Sequence, residues 1–369
     1  MGKVNVKRIA VVATATVLIL ALLIKLGTFL FSLVVGMKIT DTEKTISTSV
    51  VSEHDFEQYN GKLAVANSKG IEFFDNYGSY DSDIAFKMYS PYIYTDKNYA
   101  VVADINAQNA LVLKNGKQIY KISEEEPIQS VSVNKNGYTA VLTSESGYKS
   151  TVVIYDNLGT KIYTWYSGDL YVVDVKIADN NKRFAVVGIE AEDGLNSVVK
   201  FFKVNEDNPY AEGIFNSELA YQLEYTSNSV MVLTDKGVHL VSNSGKIKKT
   251  YDFEGETLLC FDMKNTKMPT FALSNSKGSG SKIVILKSSL KEKGTCIING
   301  QAKMIDENKG SIAVSNGNGM YLVGSRGSLK AEGQMHKEAD NIKLADDKKH
   351  IFSLSGSSLG VYKIGYGRD

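Results

Sequence analysis

The residues that could do chemistry are few and scattered. Gly356-Ser357-Ser358-Leu359-Gly360 fits G-x-S-x-G, the spacing that raises a serine nucleophile on a sharp strand-to-helix elbow. That chemistry needs a helix after the turn and a histidine further on. The sequence offers neither, so the segment reads as a hairpin. His54, His239, His336 and His350 show no i,i+4 pair and no H-E-x-x-H, so no metal site is expected from them. The stretch 276–282 (SKGSGSK) lacks the spacing of a phosphate loop and a following helix. Asp81-Ser82-Asp83 lacks the sixth-position glycine and twelfth-position glutamate of a calcium loop. The sequence thus gives no catalytic, metal or cofactor assignment.

Two groupings point to binding. Trp165, Tyr166, Asp169 and Tyr171 lie within seven residues, where aromatic faces can stack on a ligand and a carboxylate can orient it. Glu124, Glu125 and Glu126, with Glu145, Glu190, Glu192 and Asp193, fall in loops that a repeating sheet architecture brings to one face. Such acids suit a binding surface. A hydrolase or lyase would need two of them about 5–10 Å apart with one pKa raised.

The elements that position these residues are strands. Beyond residue 44 no helical period is sustained; short apolar runs alternate with Gly, Asn, Asp and Ser. The clearest unit reads as strand a (Val131–Val133), strand b (Tyr138–Thr143), strand c (Thr151–Tyr155), a DNLG turn, and strand d (Lys161–Trp165). Strand b recurs with centres at Ala64, Ala100, Ala140, Ala185, Met231, Ala272, Ala313 and Phe352, 36 to 46 residues apart. Glycines stand in the c–d turns at Gly78, Gly116, Gly159, Gly245 and Gly327. Three a–b turns share a K-[IML]-x-D-x-x-K signature starting at Lys176, Lys303 and Lys343. Four-stranded units of about forty residues are propeller blades. The expectation is all-β: a β-propeller of eight blades, with seven as the alternative. The eighth unit lacks its strand d, which residues 44–52 are expected to supply, closing the ring.

The N-terminus is different. Residues 1–36 contain Lys3, Lys7, Arg8 and Lys25 and no acid, which leaves the remainder mildly acidic although the whole chain carries +1. Residues 9–36 hold one charge and suffice for a transmembrane helix. The run is too long for a signal peptide and ends without a small-x-small cleavage site. The expected layout is a cytoplasmic tail (1–8), an anchor (9–36), a stalk (37–43) and an extracytoplasmic propeller (44–369), oriented by the positive-inside rule. Near-neutral charge argues against nucleic acid as a partner. Cys260 and Cys296 are expected on strands a and d of one blade, too far apart for a disulfide. No Asn begins an N-x-[ST] sequon, which suits a bacterial source.

An apolar N-terminal run followed by Tyr-rich, DNLG-type repeats resembles an uncharacterised family of single-pass membrane-anchored propellers from Gram-positive anaerobic bacteria. The resemblance implies an extracytoplasmic propeller. Quinoprotein-type propellers are similar too, but their tryptophan docking repeats are missing here, where Trp165 is the only tryptophan. The leading expectation is a binding or scaffold propeller presenting one loop face to a protein, peptide or envelope glycan. The opposite face, with Lys182, Lys309 and Lys349 in its a–b turns, is expected to lie toward the membrane.

Overall fold

The computed structural model describes residues 36–47, 54–190, 195–227, 229–275, 278–356 and 358–366, with positions 17, 19, 20, 22 and 25 of the N-terminal run. The described residues form thirty-two strands and no helix long and apolar enough to cross a membrane. The expected anchor at 9–36 falls almost entirely outside them, as do Glu192 and Asp193.

Successive strands pair antiparallel in groups of four, giving blades over 55–85, 91–123, 128–167, 171–216, 220–252, 258–298, 304–334 and 341–366. There are eight blades, not seven. In each, strand a is innermost; strand a packs against strand a of the next blade at every junction but that of blades 5 and 6, and blade 8 meets blade 1 to complete the ring.

Strands b and c are apolar at consecutive positions, not alternate ones, because each blade is covered on both faces by its neighbours. Strand b of blade 2, Tyr99–Asp104, is buried throughout. Alternate residues serve opposite sides: Ala140 packs between blades 3 and 4, and Val141 between blades 2 and 3. All eight expected b-strand centres are completely buried. Six of the eight are alanine, and Met231 and Phe352 fill the other two positions.

Three of the c–d glycines, Gly159, Gly245 and Gly327, have a second role besides their positive φ. Gly245 (φ +78°) lies against strand d of blade 4, where an added Cβ would sit 1.9 Å from the Glu212 carbonyl oxygen. The turn of one blade therefore rests directly on the outer strand of the one before.

Ring closure follows the expected plan with a shifted register. The strand that completes blade 8 is Met37–Ser47, seven residues earlier than expected at its start. It pairs antiparallel with strand c of blade 8 (Ser358–Tyr366), from Met37 opposite Tyr366 to Ser47 opposite Ser358. The residues expected as a stalk are thus part of the sheet. Met37 and Lys38 also pair parallel with Ala331 and Glu332 of blade 7, fusing blades 7 and 8 into one eight-stranded sheet. Ile39 drives this register, since it is buried in the cluster between those blades.

Candidate functional site

The strands a surround an axial channel. In each blade the strand-a residue opposite the centre of strand b occupies an equivalent height. This layer is Glu57, Thr95, Ser132, Lys176, Glu224, Cys260, Asp306 and Lys343 in blade order. All but Cys260 line a cavity of about 880 Å³ that extends outward among the a–b turns. The shared turn signature is therefore in register only in blades 4 and 8. Blade 7 turns in two residues after Asn308, whereas blades 4 and 8 use five, so Asp306 and not Lys303 is the counterpart of Lys176 and Lys343.

Charge in the layer is paired across blades. The Lys343 ammonium lies 2.6 Å from Glu57 and 3.3 Å from Asp306. Lys264, from the a–b turn of blade 6, crosses the channel to Glu57 at 3.2 Å and donates to the Thr95 hydroxyl at 2.5 Å. Lys176 lies 2.6 Å from Asp174 and 3.9 Å from Glu224. The Tyr94 ring stands between Lys176 and Lys264, 4.8 and 5.5 Å from their ammonium nitrogens.

The acids also join the blades. Asp55 accepts the Ile93 N–H, Asp174 the Leu223 N–H, Asp262 the Glu307 N–H and Asp306 the Leu344 N–H, each in the following blade and at 2.8–3.0 Å.

Burial pushes Asp55 and Asp306 up to about 6 and Glu224 up to about 7, with Lys176 opposing the rise of Glu224. Glu57 goes the other way. Burial alone would raise it, but the ammoniums of Lys264 and Lys343 hold it at about 2. Burial likewise disfavours the charge on Lys343, yet Glu57, Asp306 and Asp262 raise its pKa well above the ordinary value. Acids shifted this far often mark catalysis. Here Asp55 and Asp306 are each committed to a backbone amide of the next blade, and Glu224 accepts from the Gln222 amide at 2.8 Å and lies 3.9 Å from Lys176.

The opposite face holds the aromatic group. Tyr166 and Tyr171 are exposed, and so is Tyr148 from the b–c hairpin of blade 3, whose ring centroid lies 4.8 Å from that of Tyr166. The Lys149 ammonium sits over Tyr171 at 5.1 Å. Asp169 meets Lys200 at 2.5 Å, and Lys200 is 3.5 Å from Glu190. Burial would raise Asp169, but Lys200 more than offsets that and lowers it. Trp165 does not join this surface. It points into the packing between blades 3 and 4, with its ring 4.6 Å from Phe202, because strand d alternates and Trp165 takes the inward phase.

The described acids of the second grouping disperse. Glu124 is buried and accepts the Tyr155 hydroxyl at 2.6 Å and Lys161 at 2.9 Å. Glu125 and Glu126 are exposed in the link between blades 2 and 3, and Glu145 is half-buried in the blade 3 hairpin. Among the described residues no three His, Cys, Asp or Glu side chains are placed to hold a metal ion. On the a–b turns Lys182, Lys309 and Lys349 are exposed, with Lys309 3.0 Å from Asp346. Sequence reading missed Tyr148 and the channel layer. The first comes from a different strand, and the second emerges only when the blades are aligned through their b-strand centres.

These features define an eight-bladed β-propeller with an ion-paired axial channel and a tyrosine-bearing loop face. Two solved structures are similar in fold: BamB from Moraxella catarrhalis (11% identity, TM-score 0.55, covering 90% of this chain and 99% of that one) and the C-terminal WD40 domain of Sif2 (12%, TM-score 0.62, 87% and 99%). Over residues 37–363 the chain belongs to a family of unknown function, DUF5711. No curated protein is similar to it in sequence. The family match begins at Met37, the first residue of the closing strand.

Proposed function

We propose that this protein is a membrane-anchored, extracytoplasmic binding propeller, held by residues 9–36, that presents its b–c and d–a loop face to a protein, peptide or envelope glycan. The observation that carries the reading is the group of Tyr148, Tyr166 and Tyr171, three exposed rings contributed by the b–c hairpin and the end of strand d of blade 3 and by the start of strand a of blade 4. Exposed tyrosines offer an apolar face and a polar rim at low entropic cost, which suits recognition. The channel acids support binding over hydrolysis, because they are engaged in blade-to-blade hydrogen bonds and ion pairs.

The test is capture from solubilised envelope by the full chain in mild detergent, compared with Tyr148→Ala, Tyr166→Ala and Tyr171→Ala combined. A component retained by the native protein and lost by the triple variant supports the proposal. Retention that is indifferent to the three substitutions refutes this face as the binding surface.

A further inference from the structure

We propose that the face formed by the a–b and c–d turns rests on the bilayer, with basic turn residues of blades 7 and 8 contacting the phosphates of anionic lipids. The inference rests on the anchored reading above and adds an orientation and a lipid preference to it.

The closing strand sets the geometry. Met37 pairs with Ala331, the third residue of strand d of blade 7 (Leu329–Gln334), which follows the c–d turn 325–328. The strand therefore begins on the turn face and runs toward the loop face. The chain enters the ring at that face through Gly36, and in the sequence the apolar run 9–36 directly adjoins Met37. A bilayer that holds residues 9–36 lies immediately beneath these turns.

The charges near that point match an anionic surface. Lys309, Arg326, Lys348 and Lys349 are exposed on the turns of blades 7 and 8. The acids among them, Asp346 and Asp347, are half-buried and already engaged. Asp346 takes Lys309 at 3.0 Å and the Asn308 amide at 3.0 Å, and Asp347 takes His350 at 2.7 Å and the Lys349 N–H at 2.8 Å. On the loop face Glu125, Glu126, Glu254 and Glu338 are exposed instead. An anionic membrane attracts the first face and repels the second, so charge and attachment point select the same orientation. The attraction acts over about a Debye length, roughly 8 Å at physiological salt, and requires the close approach that this adjacency imposes.

The experiment places the full chain in lipid nanodiscs of phosphatidylcholine, alone or mixed with phosphatidylglycerol, with Cys260 and Cys296 replaced by serine. A fluorophore is attached through Ser328→Cys on the turn face or Gln301→Cys on the loop face, and quenching by headgroup-spin-labelled lipid is measured. Quenching is expected at position 328 and not at 301. It should be several-fold stronger with phosphatidylglycerol, fall in high salt, and fall when Arg326, Lys348 and Lys349 are changed together to glutamate. The salt titration needs no charge variant and stands if that variant misfolds. Equal quenching in both lipids, or stronger quenching at 301, overturns this inference and leaves anchoring intact. Failure of the protein to stay with discs of either lipid overturns the anchored reading and this inference with it.

Discussion

Replacing Lys343 by methionine tests the channel network at its hub. Lys343 is the cation shared by Glu57 and Asp306, and its side chain is only 15% exposed. Removing one member of a buried pair costs about 3–5 kcal/mol, because the remaining charge is left in a poor dielectric. Glu57 keeps Lys264 at 3.2 Å, whereas the only ion pair of Asp306 among the described residues is with Lys343, so the low end, about 3 kcal/mol, is expected at pH 7. For a ring of this size that is a fall in Tm of about 4–5 °C.

The pH dependence identifies the cause. Asp306 already has a folded pKa of about 6 against an ordinary 3.8, and losing Lys343 raises it further. An acid with a raised folded pKa favours the native state while protonated, and that advantage is lost as pH rises. The deficit of the variant should therefore shrink toward pH 4–5 and widen toward pH 7. Adding Asp306→Asn, which keeps an oxygen for the Leu344 N–H, should recover more than 1 kcal/mol of the loss. Thermal melts of the native protein, both single variants and the double variant at pH 5 and 7 provide the measurement. Single effects that add to within about 0.5 kcal/mol, or a deficit independent of pH, would refute the argument.

Further expectations concern closure, packing and titration. Deleting residues 37–47 removes the outer strand of blade 8 and its pairing with blade 7, so calorimetry should show the main transition of the whole ring lowered, and an unchanged main transition would disprove closure by this strand. Gly245→Ala forces a Cβ onto the Glu212 carbonyl at positive φ and should cost about 1–3 kcal/mol, checked by the same melts. Glu224 titrates near 7 in the fold, so its contribution to stability, of order 3 kcal/mol, is present below about pH 4.5 and lost as pH rises to 7. Glu224→Gln should flatten that part of the pH–Tm curve, and an equally steep curve in the variant would count against it. Cys260 and Cys296 are both free thiols, and labelling of the unfolded, unreduced protein should find two.

The sequence by itself determined the blade and its repetition. Alanine or another close-packing residue recurs at each b-strand centre, glycine recurs where a turn needs positive φ, and continuous apolar runs mark strands covered on both faces. These are local demands, repeated in every unit, and they are readable without knowing which strands meet. Blade count, the cysteine strands and the closure of the ring by the N-terminal segment were legible for the same reason. The tertiary structure decided what depends on contacts between units. It chose Met37 over Lys44 as the start of the closing strand, because the pocket for Ile39 lies between two blades. It turned Trp165 inward, brought Tyr148 beside Tyr166, and engaged Glu124 with Tyr155 and Lys161. It also gathered Glu57, Lys176, Glu224, Asp306 and Lys343 from five blades into one layer, where charge pairing around the axis depends on how neighbouring strands a align in height. No residue-level periodicity encodes that alignment, since it is fixed by sheet packing between units far apart in the chain.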